Sequence, residues 1–491
     1  MLLDLLDGAL RDRAGALALD DLTFAQLHDG SRRVATRLRQ LGVERGDRVA
    51  IYSENRAAVV FAYLATLRLG AIAVPVNVLY RSSDLAQVLG DATPALIVAS
   101  PAVREFAAKA SATTIVDAGE LERWAQLPAI APYVAAYAPP PDDAALIVYT
   151  SGTTGASKGA MLSHRNLAAI ATQLLAAWRW QAQDTLLLTL PLFHVHGLVA
   201  GLTSSLCAGG RIVLRERFDA RDVLERLSRG DVTLFFGVPT MYVRLLEALG
   251  ETAAAPRARL YVSGSAALSA DVFHAFQHRF GAEILERYGA TEFGFALGNR
   301  YAGPRVPGSV GIPLPGVRVR IAKPGTTESL PAGEIGEVLV NGPNVFCGYW
   351  EQPQATADAF TTDAEGSRWY RSGDLALYDP ALDVYRVAGR IKELIITGGF
   401  NVYSREVEDV IASLPGVAAC AVVGKADEAR GELPVAFVET DGIVRTEDLA
   451  TALRERLASF KIPKEFYVLD ALPRNAMGKV DKPALRDRLS S

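Results

Sequence analysis

Apolar and polar positions along the first part of the chain form blocks that fit strands and helices in turn. Arg48 to Ser53 is an apolar run typical of a buried strand, and Ala71 to Val76 is a second. Between them, Ala57 to Leu69 has the spacing of an amphipathic helix, which Gly70 would end. Further strand-like runs lie at residues 96–99, 212–214, 232–236 and 260–262. Because strands joined by helices form parallel sheets that helices cover, the pattern predicts an α/β fold.

The C-terminal part of the chain has a pattern of its own. It contains strand-like runs at Ala418–Val423 and Val435–Val438 and a helical segment at Leu449–Leu457. We therefore predict a large N-terminal domain, residues 1–389, and a smaller C-terminal domain, residues 390–491.

Composition excludes several classes of protein. Half of the 491 residues are apolar and 22% are charged, which is typical of a globular protein of more than one domain. The formal net charge of −4 gives no reason to expect nucleic acid or a membrane surface as a partner. No apolar run is long enough to span a membrane, and no secretory signal is present at the N-terminus. With three widely spaced cysteines, these features predict a cytoplasmic enzyme.

A loop rich in glycine and hydroxyl groups follows the apolar run Leu146-Ile147-Val148. It reads Tyr149-Thr150-Ser151-Gly152-Thr153-Thr154-Gly155-Ala156-Ser157-Lys158-Gly159. Glycines allow close approach of the backbone to a ligand, N–H groups and hydroxyls bind anions, and Lys158 adds positive charge. The loop lacks the Gly-Lys-Ser/Thr ending of a Walker A motif. It predicts a polyphosphate-binding loop, with an ordinary surface loop as the alternative for this stretch by itself.

A second candidate string, Glu286-Arg287-Tyr288-Gly289-Ala290-Thr291-Glu292, follows the short apolar pair Ile284-Leu285. Tyr288 offers a flat face for a purine, Thr291 a hydroxyl for a phosphate, and Glu292 a hard oxygen ligand for Mg²⁺. By itself such a string is more often the ordinary end of a strand.

Three further strings follow in the sequence. They are Arg371-Ser372-Gly373-Asp374, Gly389-Arg390-Ile391-Lys392-Glu393-Leu394-Ile395 and Pro473-Arg474-Asn475-Ala476-Met477-Gly478-Lys479. With the two strings above, and in this order, they resemble the adenylate-forming superfamily of acyl-CoA synthetases, luciferases and peptide-synthetase adenylation domains. The resemblance covers essentially the whole chain. It implies a large N-terminal domain of layered α/β subdomains, a small mobile C-terminal α+β domain, and an active site between them.

The same resemblance implies ATP, Mg²⁺ and coenzyme A as cofactors and a small carboxylic acid as substrate. It assigns adenine stacking to Tyr288, the ribose to Asp374 and Arg390, a hinge to Lys392, and catalysis of adenylation to Lys479. Thr153 and Glu292 complete the catalytic set and are the implied metal ligands. The residues implied to bind nucleotide or coenzyme A are Thr150, Ser151, Gly152, Thr153, Thr154, Gly155, Lys158, Ser265, Glu286, Arg287, Tyr288, Gly289, Thr291, Asp374, Arg390, Lys392, Gly398, Gly399 and Phe400.

The acyl pocket corresponds in the family to three strings, Pro191–Gly197, Phe236–Tyr242 and Val262–Leu268. They supply His194, Ser263 and Gly264 as candidate acyl-binding residues. His194 is expected to form a gate or wall. A metal site at His194 and His196 would lack a third ligand of suitable spacing.

Arg305 is a further candidate acyl-binding residue, which could pair with a second carboxylate of the substrate. Its alternative is a structural role, in which the guanidinium bonds loop carbonyls.

The acyl-pocket strings resemble those of malonyl-CoA synthetases, which implies malonate or methylmalonate as substrate. Two departures matter: Ala290 replaces the methionine of that group, and Phe293-Gly294-Phe295 replaces a more polar continuation. A less polar wall would suit a short-chain, medium-chain or aryl monocarboxylate. An adenylation enzyme that loads a carrier protein also stays open, as does a silent nucleotide-binding relative, which the intact Lys479 and Glu292 disfavour.

The first prediction concerns Lys479. A carboxylate that attacks the α-phosphate of ATP forms an acyl-adenylate, and a cation there would stabilise charge that develops only in that step. Lys479→Ala should therefore lose acid-dependent pyrophosphate release by several powers of ten, while a supplied acyl-adenylate is still converted to thioester. Equal loss in both half-reactions would contradict the assignment.

Overall fold

The computed structural model describes residues 1–133, 138–150, 157–250, 257–428, 430–440, 446–474 and 480–489. Packing divides the chain into two compact units. The first comprises residues 1–319 and 340–370, and the second comprises residues 320–339 and 371–491. The predicted division into domains of residues 1–389 and 390–491 stays a prediction.

Helices and strands alternate through most of the first unit, as the apolar pattern predicted. Its elements up to the fifteenth strand are α1 (Leu2–Asp12), β1 (Leu17–Leu19), β2 (Leu22–Thr23), α2 (Phe24–Gln40), β3 (Arg48–Tyr52), α3 (Ala57–Leu69), β4 (Ile72–Pro75), α4 (Ser82–Ala92), β5 (Leu96–Ala99), α5 (Pro101–Ala110), β6 (Ile115–Asp117), α6 (Ala118–Gln126), β7 (Ala144–Thr150), β8 (Lys158–Ser163), α7 (His164–Ala177), β9 (Thr185–Leu188), a π-helix (His196–Thr203), α8 (Ser204–Ala208), β10 (Arg211–Leu214), α9 (Ala220–Ser228), β11 (Leu234–Gly237), α10 (Pro239–Leu249), β12 (Leu260–Ser263), α11 (Ala270–Phe280), β13 (Ile284–Tyr288), β14 (Leu297–Gly298) and β15 (Ile312–Pro313).

The remaining elements are mostly strands. They are β16 (Arg318–Ala322), β17 (Gly336–Asn341), β18 (Gly348–Tyr349), α12 (Pro353–Asp358), β19 (Phe360–Thr362), β20 (Arg368–Asp379), β21 (Val384–Arg390), a 3₁₀ turn (Ile391–Glu393), β22 (Ile395–Thr397), β23 (Phe400–Val402), α13 (Ser404–Ala412), β24 (Val417–Asp427), β25 (Gly431–Thr440), α14 (Thr446–Arg454), β26 (Glu465–Leu469) and α15 (Lys482–Asp487).

Two large sheets form the first unit. One has the order β15-β14-β13-β12-β11-β9-β10-β1-β2, and the other β18-β8-β7-β4-β3-β5-β6. The central neighbours are parallel in both, whereas β7 and β8 form an antiparallel pair. The predicted α/β fold class is therefore confirmed.

Helix α3 has the predicted bounds but is not amphipathic. Every residue of it except Ala57 is buried, and it packs against α2 and α6. Gly30 of α2 allows this packing, because a Cβ there would lie 2.7 Å from a ring carbon of Phe61. The prediction of an amphipathic helix was wrong, since a helix that is apolar on all sides is covered on all sides.

The second unit is α+β. Its main sheet has the order β23-β22-β25-β24, with β26 added beside β25. The two predicted strands lie within β24 and β25, and the helix predicted from residue 449 begins at Thr446. One face of the sheet forms a core with α13 and α14 that includes Val407, Ile411, Leu449 and Leu453.

A buried ion pair joins the first three helices. Arg68 of α3, only 7% exposed, places its guanidinium 2.9 Å from the Asp7 carboxylate of α1 and 3.0 Å from the Ser31 hydroxyl of α2. Burial would raise the pKa of Asp7, but hydrogen bonds from His28 and Arg68 outweigh it and lower that pKa to about 2. The carboxylate is therefore stabilised in its charged form by folding.

Asp7→Asn tests this pair. A pKa lowered from 3.8 to about 2 corresponds to roughly 2 kcal/mol of folding free energy. Because the folded-state pKa is the lower one, this contribution is complete above about pH 4 and is lost as the pH falls towards 2. We expect Asp7→Asn to lower the free energy of unfolding by about 2 kcal/mol at pH 7, by about half of that near pH 3, and by little near pH 2. Exposed Asp12 of the same helix is the control; a loss independent of pH would contradict the assignment.

Candidate active site

The predicted phosphate loop connects two antiparallel strands. Thr150 at the end of β7 lies opposite Lys158 at the start of β8, and its hydroxyl donates to the Lys158 carbonyl at 3.4 Å. The intervening predicted residues Ser151, Gly152, Thr153, Thr154 and Gly155 lie outside the described residues. Gly159 lies in β8, where a Cβ would approach Ile147 to 2.8 Å, so it serves strand packing and not a turn.

Tyr349 joins the phosphate loop to the second string. Its strand, β18, pairs with β8, and the Lys158 ammonium lies 5.2 Å from the centre of its ring. Its hydroxyl donates to Glu292 Oε1 at 3.0 Å. Burial, with the nearby Glu292 carboxylate, raises the pKa of Tyr349, so it remains a neutral donor. Sequence reasoning missed this residue, because neither spacing nor composition marks it.

The string at the end of β13 folds back on itself. A Cβ at Gly289 would lie 2.0 Å from the Gly294 carbonyl oxygen, so glycine is required by this close approach. Tyr288, the predicted adenine-stacking residue, has its ring centre 5.5 Å from that of Phe293. Thr291 lies in the turn that follows, partly buried. The structure thus places Tyr288, Thr291 and Glu292 together after one strand.

Glu286 has structural partners. It is buried, and its two carboxylate oxygens accept from the backbone N–H groups of Gly308 at 3.2 Å and Leu268 at 3.4 Å. The carboxylate thereby holds two loops to the end of β13. Its implied nucleotide-binding role stays a prediction.

Arg287 is a buried cation with few partners. One terminal nitrogen donates to Ser265 Oγ at 3.2 Å, and its Nε has no hydrogen-bond partner among the described residues. The guanidinium carbon lies 4.6 Å from the centre of the Phe295 ring. A Cβ at Gly264 would come within 2.3 Å of Nε, so this glycine makes the space for the side chain. Burial lowers the pKa of Arg287 to about 9.

Phe295, which contacts this cation, belongs to a cluster of aromatic rings. The His196 ring lies 6.2 Å from Phe236 and 6.1 Å from Phe295, and Trp178 and Trp180 make edge contacts with Phe236. Burial, with the neighbouring Arg287, lowers the pKa of His196 well below its ordinary value, so this imidazole is uncharged. The three predicted acyl-pocket strings therefore meet here.

The predicted acyl-binding residues occupy different positions. Ser263 ends β12 with a buried hydroxyl that has no partner among the described residues, and Gly264 follows it beside Arg287. His194 is partly buried, with its ring centre 4.6 Å from that of Phe193.

The hydrogen bonds of Arg305 fit its alternative interpretation, in which the guanidinium has a structural role. Its guanidinium donates to the carbonyl oxygens of Glu283, Tyr301 and Arg300, the last two at 3.4 Å, and its own N–H donates to the Glu283 carboxylate. A pairing with substrate would have to compete with these bonds, which favours a structural role in place of the expected acyl contact.

His196 and its contacts with Phe236 and Phe295 depend on a π-helix, His196–Thr203. Hydroxyls of Thr203 and Ser204 donate to carbonyl oxygens five residues earlier, at 2.8 and 3.0 Å, as its wider turn requires. Gly197 allows the segment to approach the preceding loop, because a Cβ there would lie 2.2 Å from the Pro191 carbonyl oxygen.

In the second unit, the two predicted ribose-binding residues face each other. Asp374 of β20 and Arg390 of β21 are paired across the strands, with Arg390 Nε 3.0 Å from an Asp374 carboxylate oxygen. Asp374 is also held by its own turn, in which its N–H donates to Ser372 Oγ at 3.0 Å. Lys392 lies in the 3₁₀ turn that follows β21.

Gly398, Gly399 and Phe400, which the resemblance assigns to nucleotide or coenzyme A binding, lie in the hairpin of β22 and β23. Gly398 and Gly399 have positive φ angles of 57° and 83°, which suit glycine. Phe400 is 56% exposed and stacks on Phe460, with 4.7 Å between ring centres. Lys479 lies outside the described residues.

Comparison with protein families matches both parts of the chain. Residues 9–350 match the model of the AMP-binding enzyme, and residues 406–479 match that of the AMP-binding enzyme C-terminal domain. In the described part of the chain, no helix has the length and apolar character needed to cross a membrane.

Three characterised relatives are similar over nearly the whole chain. The mitochondrial malonate–CoA ligase ACSF3 of Mus musculus is 34% identical, covering 95% of this chain and 87% of its own length. A feruloyl-CoA synthase of Amycolatopsis sp is 36% identical, covering 95% and 94%. The crystal structure of ATP-bound MatB from Rhodopseudomonas palustris superposes with a TM-score of 0.89, at 38% identity over 98% of each chain.

Tyr349→Phe tests the link between the two strings. The variant keeps the ring beside Lys158 but removes the hydroxyl that donates to Glu292, a hydrogen bond to a charged group that typically contributes about 1.5–3 kcal/mol. We expect kcat/KM for ATP to fall about tenfold or more in a pyrophosphate-release assay. Tyr378→Phe, which removes an exposed hydroxyl–carboxylate bond to Asp383, should leave it unchanged. Unchanged or increased activity in Tyr349→Phe would show that the hydroxyl does not support the site.

Proposed function

We propose, from the premise that this chain belongs to the AMP-binding enzyme family and is an AMP-forming acyl-CoA synthetase, a small dicarboxylate as its acid substrate. The dicarboxylate is malonate or methylmalonate. The family reaction uses ATP and coenzyme A. A carrier protein as the thiol acceptor stays an alternative.

The buried Arg287 carries the proposal. A cation removed from water is costly unless an anion pairs with it, and no described carboxylate forms an ion pair with this guanidinium. The second carboxylate of malonate would supply that charge and accept two N–H bonds in the fork geometry that arginine prefers. Ser265 already holds one side of the guanidinium, which leaves Nε to donate. The proposal therefore moves the carboxylate-binding role from Arg305 to Arg287.

The comparisons support both this acid class and one competitor. The malonate–CoA ligase and MatB relatives favour the dicarboxylate. The feruloyl-CoA synthase relative, of similar identity, favours an aryl acid. Phe236, Trp178 and Trp180 make this region aromatic in character, so an aryl monocarboxylate is the second candidate.

Adenylation brings an acid carboxylate to the α-phosphate of ATP, and the repulsion between two anions is the obstacle. We propose that Lys158 and Lys479 offset that repulsion and stabilise the charge that shifts to pyrophosphate. Tyr288 would stack on adenine, Thr291 would contact the α-phosphate, and the paired Asp374 and Arg390 would hold the ribose. The thiol would then attack the acyl carbonyl and release AMP.

The residues present fit Mg²⁺. This ion prefers oxygen ligands and is usually held by one or two carboxylates together with substrate phosphates and water, so it needs no cluster of protein ligands. The Glu292 carboxylate, oriented by the Tyr349 hydroxyl, is such a ligand, and Thr153 is its proposed companion. When bound, Mg²⁺ neutralises part of the phosphate charge.

The other nucleotide- and coenzyme-binding assignments remain part of the same proposal. Lys392 would absorb a change of backbone angles when the C-terminal domain moves between half-reactions. Gly398, Gly399 and Phe400 would line the path of the pantetheine arm.

Arg287→Met tests the substrate. The substitution keeps an unbranched apolar stem but removes the charged guanidinium, so kcat/KM for malonate should fall at least ten- to a hundredfold, the value of about 1.5–3 kcal/mol for a charge-assisted bond. Propionate and butyrate should improve or stay unchanged, because a buried cation no longer opposes an apolar tail. The KM for ATP should change little.

Arg305→Met is the matched control. It should lower stability and the rates with malonate and butyrate alike, since its bonds are to loop carbonyls. Wild-type preference for benzoate, ferulate or butyrate over malonate would overturn the dicarboxylate and support the second candidate. Parallel assays with coenzyme A and with a phosphopantetheinyl carrier protein decide the acceptor.

A further inference from the structure

Lys482 is a buried lysine outside every motif considered above. It begins α15, and its side chain is only 14% exposed. Its ammonium lies 2.7 Å from Glu393 Oε2, 2.8 Å from Glu408 Oε1 and 3.0 Å from Ser404 Oγ. An ammonium has three N–H donors, so each has an acceptor. Burial would lower the pKa of Lys482, but the carboxylates of Glu408 and Glu393 outweigh it and raise that pKa.

The three acceptors come from two elements of the second unit. Glu393 belongs to the 3₁₀ turn at residues 391–393, and Ser404 and Glu408 belong to α13. Glu408 is itself held, because its Oε1 accepts the backbone N–H of Val422 in β24 at 2.7 Å. Three directional bonds to such partners leave the ammonium one position.

A second bond ties α15 to the same turn. Arg486, one helical turn after Lys482, donates from its guanidinium to the Lys392 carbonyl oxygen at 3.4 Å. Asp481 caps the helix by accepting the Ala484 N–H at 3.2 Å. The start of α15 and the 391–393 turn therefore form one packed unit.

This unit adjoins the string that ends at Lys479. Arg474 and Val480, which flank residues 475–479, form an antiparallel bridge, and the Asp481 N–H donates to the Pro473 carbonyl oxygen at 2.8 Å. The two ends of the string are thereby held side by side. Lys482 follows Lys479 by three residues in the sequence.

We propose that Lys482 is a positioning residue for adenylation: its buried ammonium fastens the end of the Lys479-bearing string to the 391–393 turn, and so sets where Lys479 acts. This inference rests on the proposed role of Lys479. A displacement of about 1 Å in a charge that stabilises a transition state can cost roughly a hundredfold in rate. The Lys482 ammonium, with all three donors paired, would prevent such a displacement of Lys479.

Lys482→Met is the test. It keeps the aliphatic stem and removes all three donors. We expect kcat for acid-dependent pyrophosphate release to fall about ten- to a hundredfold, with KM for ATP and acid within about twofold of wild type. Conversion of a supplied acyl-adenylate to thioester should change less than about twofold, because Lys479 serves only the first half-reaction in this scheme. Lys482→Arg, which retains charge and donors, should recover most of the loss.

Lys425→Met is the matched control. Lys425 lies in β24 of the same unit and pairs with Glu465 at 2.7 Å, in a more exposed position. Its loss should leave both half-reactions unchanged. Should Lys482→Met fold poorly, Glu393→Gln removes one charge of the cluster with little change in shape, and should show the same split with a smaller loss.

Equal loss in both half-reactions, or a lower melting temperature with normal adenylation, would overturn the proposal and leave Lys482 a merely structural residue. Lys479→Ala, assayed in parallel, distinguishes failure of the proposed role of Lys479 from failure of the proposed role of Lys482. If Lys479→Ala affects both half-reactions alike, the role of Lys479 itself is wrong. If it splits them and Lys482→Met does not, only the tether is wrong. The assay uses whichever acid the wild-type enzyme activates, so it does not depend on malonate.

Discussion

The hydrogen bond from the Tyr349 hydroxyl to Glu292 is the interaction on which the site in the first unit depends. Strand β18 places Tyr349 beside β8, so its ring lies near Lys158 while its hydroxyl reaches the end of the second string. One neutral tyrosine thus contacts both the proposed phosphate-binding cation, Lys158, and the proposed metal ligand, Glu292.

Two buried cations, Lys482 and Arg287, differ in how completely their N–H donors are paired. Lys482 has two carboxylates and a hydroxyl as acceptors, and its pKa is raised although burial acts in the other direction. Arg287 has one serine hydroxyl and an aromatic face, and burial lowers its pKa to about 9. A fully paired buried ion fixes structure, whereas an incompletely paired one favours the binding of an anion. The contrast agrees with the different roles proposed for the two residues, positioning for Lys482 and acid binding for Arg287.

Sequence reasoning reached the family, the fold class and most strand positions, because apolar runs and ordered motifs are local signals. It failed where a property depends on what packs against a segment. Helix α3 was taken as amphipathic, since the chain alone does not show that α2 and α6 cover it. Arg305 and Arg287 are both plausible carboxylate partners by residue type. Only the loop carbonyls that surround Arg305 and the absence of such partners at Arg287 Nε distinguish them. Tyr349 and Lys482 carried no signal, because their partners are distant in sequence.

The π-helix at His196–Thr203 makes the proposed acyl-binding region sensitive to a change in the number of residues in this helix. Each turn of a π-helix contains about one more residue than an α-helical turn. Loss of a single residue from the segment would restore α-helical register and rotate the preceding side chains by about 100° around the axis. His196 would then leave the wall it shares with Phe236 and Phe295, and a different side chain would take its place. If this region binds the acid, as proposed, an insertion or deletion in the helix would change substrate preference with no substitution among the residues around His196.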